Sequence, residues 1–324
     1  MLIYMKKQLK RPFVLILYGP TGVGKTDIAL SIGQKIPAEI INMDVGQFYT
    51  PLSIGTAKPD WRSSPIPHHL FDIIDTPVNY TVAEYRTLVY KKVDEVISRG
   101  NLPILAGGSG FYLHSLLFPP QASFADMDIT PFYDKNSDLW QELHAIDPQR
   151  AMNIDKNDIY RIRRALGIWH ATGKLPSSYV SDYKPLVDYL LIFLERDRQE
   201  LKKRIDERVI EMFNADWIME AEQLMGTPWQ QFIERKNLIG YKEIFDYLAH
   251  EKNKKTFDKM VELIQNQTRQ YAKRQFTFWR KLEREIKQKS VYTGTSVGCL
   301  ETLNLTNLNI NLYIDELVKR LPFC

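Results

Sequence analysis

The chain is nearly devoid of cysteine: Cys299 and Cys324 are the two in 324 residues. Neither has a partner at zinc-ligand spacing, which excludes a disulfide framework and a zinc finger and points to a reduced, cytoplasmic setting. Long apolar runs are also lacking. Nothing approaches the roughly 18 residues needed to cross a bilayer, so no membrane association is expected. The first apolar run, Phe13–Tyr18, is too short for a signal-peptide core despite Lys6, Lys7, Lys10 and Arg11 ahead of it. No repeat or low-complexity tract occurs. Hydrophobic residues at 44% and charged residues at 25% leave disorder and collagen-like structure out. Lysine and arginine are absent between Arg99 and Lys135.

Basic charge is instead concentrated elsewhere. The whole chain carries only +4, yet Leu263–Lys289 holds eight basic residues against two acidic ones. A local surplus larger than the total points to a polyanionic partner, the alternative being a solvated helix face.

Periodicity gives an α/β fold. Phe13–Tyr18 is a buried strand ending at Gly19, and Thr26–Lys35 has helical spacing. Glu39–Asn42 is a second strand running into Asp44. Thr81 and Glu84 form a capping box that opens a helix closed by Arg99-Gly100, and Leu102–Ala106 is a further buried strand. Strands alternating with helices imply a parallel sheet. After Leu117 the texture changes, and Asp158–His170 is helical, until Tyr189–Leu194 returns as an apolar strand. The expected organisation is a P-loop NTPase-like core over 1–117, a helical insertion domain over 118–186, the core resumed over 187–289 with a long basic helix, and a tail over 290–324. Helix breaks are expected near Gly226–Pro228 and Asn237–Gly240. The tail has weak strand character and an amphipathic end, Ile314–Leu321.

The segment Gly19-Pro20-Thr21-Gly22-Val23-Gly24-Lys25-Thr26 matches G-x-x-x-x-G-K-[ST] between a strand and a helix. Its glycines let backbone N–H groups turn around phosphate oxygens, and the helix N-terminus adds its dipole. Lys25 supplies a point charge, and the Thr26 hydroxyl can ligate Mg²⁺. A di- or triphosphate therefore binds here. A kinase would transfer its terminal phosphoryl group; a prenyltransferase would hold diphosphate as a leaving group. The loop alone does not choose.

Six further segments follow in fixed order: Asp44-Val-Gly-Gln47-Phe-Tyr49, Ile54–Pro59, Pro67–Leu70, Gly107-Gly-Ser-Gly110-Phe-Tyr112, Ile239-Gly-Tyr241 and Thr268–Gln275. With the phosphate loop they closely resemble the tRNA dimethylallyltransferase (tRNA isopentenyltransferase) family, from about Leu15 to Trp279. The resemblance implies transfer of a dimethylallyl group from dimethylallyl diphosphate to the N6 amine of the adenosine 3′ to the anticodon, with Mg²⁺ as cofactor and no obligate protein partner. It implies that Asp44 is the general base and that Ser109, where the family has threonine, keeps a catalytic hydrogen bond. Asp44, Val45, Gly46, Gln47, Ser109, Gly240 and Tyr241 match positions that contact tRNA. Arg161 and Arg164, with Arg163 between them, match a tRNA-contacting stretch of the insertion. Lys273, Arg274, Gln275 and Arg280 match another on the basic helix. The family's basic residue after the Gly-Gly-Thr segment has no counterpart here.

Each assignment has a plainer alternative. Asp44 could be a helix N-cap or a carboxylate behind Mg²⁺. Arg161 and its neighbours could pair with Asp155 and Asp158. The adjacent His68 and His69 diverge and have no third ligand, so no metal site is expected there. At about 100° per residue, Phe257, Met260, Ile264, Tyr271, Phe278 and Leu282 share one stripe of the basic helix, while Arg269, Lys273, Arg280 and Arg284 fall opposite. Rival functions are a nucleoside-monophosphate-type kinase, an adenylate isopentenyltransferase acting on free AMP, and an RNA-binding P-loop switch that tolerates loss of Asp44.

Overall fold

A computed structural model of the chain describes residues 12–119, 138–179, 181–250, 252–293 and 298–321. The basic stretch before Pro12, most of the Pro-rich and aromatic segment at 118–137, and Cys324 lie outside them.

Apolar runs form the expected strands, all parallel. β1 (Phe13–Tyr18) is the centre, flanked by β4 (Leu102–Gly107) and β5 (Asp188–Glu195). β2 (Ala38–Asn42) pairs with β4, and the two-residue β3 (His68–His69) pairs with β2. The order is β3-β2-β4-β1-β5-β6. Residues read from sequence as a tail supply the sixth strand, β6 (Gly298–Asn304), which runs beside β5 from Tyr189↔Gly298 to Glu195↔Asn304.

Both faces of the sheet are covered, so its strands are apolar on both sides rather than alternating. On one face α1 (Lys25–Gly33) and α12 (Ile310–Arg320) enclose Leu15, Leu17, Ile28, Ile40, Ile104, Ile192 and Ile314. On the other, α2 (Val82–Ser98) lays Tyr85, Val89, Val93 and Val96 against Ile16, Ile41 and Leu105. The capping box is present: Thr81 Oγ1 accepts from Glu84 N at 3.2 Å and Glu84 Oε2 from Thr81 N at 2.7 Å. α3 (Gly110–Leu117) follows β4 directly.

The insertion contributes α4 (Leu139–Ile146), α5 (Pro148–Met152) and α6 (Ile159–Thr172). They enclose a small core of their own, with Leu143, Ile162 and Leu166 at its centre. Asp158 caps α6 by accepting from Arg161 N at 3.0 Å.

Beyond β5 the chain is helical: α7 (Arg198–Asn214), α8 (Trp217–Leu224), α9 (Pro228–Lys236), α10 (Tyr241–Ala249) and α11 (Lys254–Thr293). The breaks at 225–227 and 237–240 fall where glycine, proline and asparagine indicate; those after α7 and α10 were not legible. α11 docks through Trp279, whose ring stacks on Phe193 with centroids 4.7 Å apart and planes 4° from parallel.

His68 and His69 each have a polar partner inside the fold, and His68 also lines the cavity at the end of the sheet. His69 Nε2 lies 2.5 Å from Glu39 Oε2, and His68 Nδ1 lies 2.7 Å from the Ile66 carbonyl. Burial pushes the Glu39 carboxyl up, but hydrogen bonds from Arg99, His69 and Asn101 outweigh it and hold it at about 2.

Candidate active site and RNA-facing surface

In a parallel sheet, ligands collect beyond the carboxyl ends of the strands. Three such ends meet here: the phosphate loop after β1, Asp44 after β2, and Gly107–Gly110 after β4. They border a polar cavity of about 390 Å³ lined by Thr21, Lys25, Thr26, Asp44, Gln47 and Arg208 among others.

The phosphate loop has the backbone its sequence requires. Gly22 and Gly24 take φ of 78° and 106°, values that a side chain disfavours. Gly24 precedes α1, whose first residue is Lys25, so the helix N-terminus opens toward the cavity. Lys25 Nζ donates to the carbonyls of Gly19 and Pro20 at 3.0 and 2.9 Å. Burial lowers its pKa to about 8, against the attraction of Asp44 and with the repulsion of Arg208. An entering diphosphate would therefore meet a cation already short of solvent, where charge attraction is strong.

Asp44 stands at the N-cap position of a short 3-10 turn, 45–48, and its carboxylate, beside the Gly46 N–H, also lines the cavity. Burial raises its pKa; Lys25, the Gly46 N–H, Arg208 and the Gly108 N–H oppose the rise. A carboxylate raised toward neutrality and facing a cavity suits proton acceptance. Ser109 is 9% exposed, and its Oγ accepts from Val45 N at 3.1 Å. It thus fixes the backbone just after Asp44 while its own proton can still be donated. Val45 packs on the main core. Gln47 Nε2 is held by the carbonyls of Thr56 and Ala57 at 3.1 and 3.3 Å.

Thr26 lines the cavity beside Asp27 and Asp44. Among the described residues, no cluster of three or more His, Cys, Asp or Glu side chains could cage a metal. A cation here would draw on the Thr26 hydroxyl, substrate phosphate oxygens and water. Mg²⁺ prefers that ligand set.

Sequence reasoning missed several residues that line or brace the cavity. Arg204 and Arg208, one turn apart on α7, face the cavity. Arg204 Nε donates to Gly22 O at 2.9 Å and Arg208 Nη2 to Ala57 O at 3.2 Å. Two arginines at i and i+4 beside the buried Ile205 and Val209 were the available clue. Glu220 on α8 is the second omission. Its carboxylate accepts from the N–H groups of Ser53, Ile54 and Gly55 at 2.7 to 3.0 Å and from the Tyr241 hydroxyl at 2.7 Å. This latch ties Ile54–Pro59, the cavity wall, to Ile239–Tyr241. Glu220→Ala strands those donors and is expected to cost about 3 kcal/mol, read as a lower Tm, with a raised donor KM.

The latch corrects one assignment. Tyr241 is fully buried and the Gly240 backbone is packed against Trp217, so the Tyr241 ring and the Gly240 backbone support the wall instead of facing outward. Gln275 is also interior, at 4% exposure. Arg269, expected among the outward cations, pairs with Asp206 and Asn266. The remaining cations do face out: Lys273, Arg280 and Arg284 are exposed opposite the buried Met260, Ile264 and Leu282, and Arg274 is exposed on the flank beside Tyr271. In the insertion, Arg161 and Arg164 are exposed, and Arg161 makes a 3.3 Å surface pair with Asp158. Such a pair is weak and leaves the guanidinium accessible.

The IPP transferase family model matches residues 47–282. Over 279 residues the chain is 39% identical to the tRNA dimethylallyltransferase of Petrotoga mobilis, covering 83% of this chain and 91% of the relative. The chain belongs to the IPP transferase family. The Acetivibrio thermocellus tRNA dimethylallyltransferase is 35% identical over 83% of this chain and 89% of its own. Solved structures agree on the fold. The tRNA delta(2)-isopentenylpyrophosphate transferase of Staphylococcus epidermidis superposes with TM-score 0.60 at 27% identity, covering 96% of this chain and 99% of that one. A eukaryotic dimethylallyltransferase acting on tRNA gives 0.71 at 27% identity, covering 91% and 74%. The family match starts at residue 47, so the phosphate loop and Asp44 stand on the sequence and geometry above. Among the described residues no helix is long and apolar enough to cross a membrane.

Proposed function

We propose that this protein transfers the dimethylallyl group of dimethylallyl diphosphate to the N6 amine of the adenosine 3′ to the anticodon of tRNA, acting in the cytoplasm. One observation carries the reading: a phosphate loop and a carboxylate of raised pKa open into the same cavity, in a member of this family.

The chemistry follows from the residues. Diphosphate lies on Gly19–Thr26, where Lys25, Arg208 and the loop N–H groups balance its charge. The adenine amine is a poor nucleophile because its lone pair is delocalised into the ring. Asp44 accepts a proton from it as the nitrogen attacks the allylic carbon. The carbon–oxygen bond breaks, and the electron pair leaves with diphosphate. Mg²⁺ at Thr26 would add Lewis-acid stabilisation of the leaving group. Ser109 holds the Asp44 turn in place, and Gln47 forms part of the wall near the base.

A stacked adenine must be extruded to reach Asp44, at a cost of a few kcal/mol. The exposed cations of α11 and α6, Lys273, Arg274 and Arg280 on the first and Arg161 and Arg164 on the second, offset this by gripping the anticodon arm. The insertion is thereby a second gripping surface on a P-loop core. These contacts position the RNA and do not read its sequence. Replacing Lys273 and Arg280 together with Ala is expected to flatten the salt dependence of tRNA binding by about two charges' worth. An unchanged slope in a binding titration from low to high salt would return α11 to a solvated face.

The test of the function is direct. Protein, Mg²⁺ and labelled dimethylallyl diphosphate are incubated with unmodified tRNA or with AMP. Label is expected in tRNA alone. Transfer to AMP, or turnover of ATP onto a small metabolite without use of the prenyl donor, would overturn the reading.

A further inference from the structure

Gln275 lies on α11 among the cations assigned to RNA, yet its side chain is buried. A buried amide persists only where its donors and acceptors are satisfied. Here the two ends go to two different loops. Oε1 accepts the backbone N–H of Thr21 at 2.9 Å, and Nε2 donates to the carbonyl of Gly108 at 2.9 Å. Thr21 belongs to the phosphate loop after β1; Gly108 belongs to the loop after β4, the neighbouring strand. One planar amide therefore spans the donor loop and the loop that flanks Asp44.

The fit is close. A Cβ on Gly108 would lie 2.3 Å from Gln275 Nε2 and 3.6 Å from Asp44 Oδ2. A Cβ on Gly110 would lie 2.4 Å from the Phe278 ring, one turn further along α11. The glycines of Gly107-Gly-Ser-Gly110 thus admit α11 and its amide against the end of β4. The Thr21 N–H is fixed on Gln275, which sets the orientation of that peptide within the phosphate loop. The helix that supplies this strut also displays Lys273 and Arg280 outward, so the RNA-facing surface and both catalytic loops share one rigid element.

We propose that Gln275 is a positioning residue whose amide sets the separation between the phosphate loop and the Asp44-flanking loop, and so the distance at which allylic carbon and amine meet. The inference rests on the prenyl-transfer reading above. A displacement of about 1 Å between reacting groups is enough to cost on the order of a hundredfold in rate.

Gln275→Met tests it, because methionine matches the length and packing of glutamine while removing both hydrogen bonds. With saturating tRNA and dimethylallyl diphosphate, kcat is expected to fall by about thirtyfold or more. The Kd values for inorganic diphosphate and for tRNA should stay within about threefold, since neither ligand's own contacts are removed. Hydrogen exchange should show residues 19–24 and 107–110 losing protection together. The proposal is overturned if kcat per folded molecule stays within about threefold of wild type, if kcat falls only with lost affinity, or if one loop loosens without the other. Wild-type transfer is measured alongside. Its absence would count against the functional reading, and the exchange result would then decide the strut by itself.

Discussion

Asp44→Asn is expected to lower kcat by about a thousandfold, within the range for loss of a positioned general base, while the Kd for tRNA changes less than about threefold. Asparagine keeps the shape and can still take hydrogen bonds, but it cannot accept a proton from the amine. The pH profile gives a second reading. Burial raises the Asp44 pKa, and the neighbouring cations and N–H groups oppose the rise without cancelling it. The active form is the ionised one, so wild-type kcat/KM should fall as pH drops through that raised value. The variant's residual activity should lose this limb. Near-normal turnover by Asp44→Asn would remove the residue as base.

Lys25→Ala is expected to reduce kcat/KM for dimethylallyl diphosphate by two to three orders of magnitude, the scale for removing one preorganised group from developing charge. The direction with pH is opposite to that of Asp44. Only the ammonium attracts diphosphate, and burial lowers the Lys25 pKa to about 8. Donor affinity of the free enzyme should therefore weaken as pH rises through 8. Bound diphosphate brings negative charge beside the ammonium and raises its pKa, so the corresponding limb in kcat should lie at higher pH. A donor Kd that is flat from pH 7 to 9.5 would mean that Lys25 does not sense the leaving group. Two limbs with opposite slopes, one from each residue, would place carboxylate and ammonium in one reaction.

What could be read from the sequence was local. Short apolar runs located β1, β2, β4 and β5, and Thr81 with Glu84 fixed the start of α2, because strand burial and capping depend on neighbours in the chain. The phosphate loop was legible for the same reason: eight consecutive residues carry its mechanism. Glu220 was not. Its function is defined by three N–H groups about 165 residues away in sequence and the hydroxyl of Tyr241, and one of two glutamates on a largely apolar helix gives no sign of that. Arg208 stood among nine charged side chains of α7, where only the packed helix reveals which ones turn inward. Gln275 and Tyr241 belonged to recognised motifs, and that obscured their placement. A motif names positions that a family keeps, but keeping a residue inside and keeping it against a ligand leave the same mark. The tail is a similar case. Its strand is mostly exposed, with Leu303 its one buried residue, so pairing with β5 was set by proximity and not by pattern.

That last strand has a consequence for how the molecule is made. β6 hydrogen-bonds along β5, and just beyond it Thr306 Oγ1 donates to Glu200 Oε2 at 2.5 Å and accepts from Asp197 N at 2.8 Å. Glu200 holds Arg196, whose Nε donates to the Val23 carbonyl inside the phosphate loop at 2.8 Å. Residues near position 306 leave the ribosome after nearly everything they support. Until they emerge, β5 presents an open edge and the donor loop lacks its outermost brace. A nascent chain stalled in the long α11 would carry the phosphate loop, Asp44 and Ser109 and still expose a strand to aggregation, so the donor loop is fully braced only once the chain has grown past Thr306.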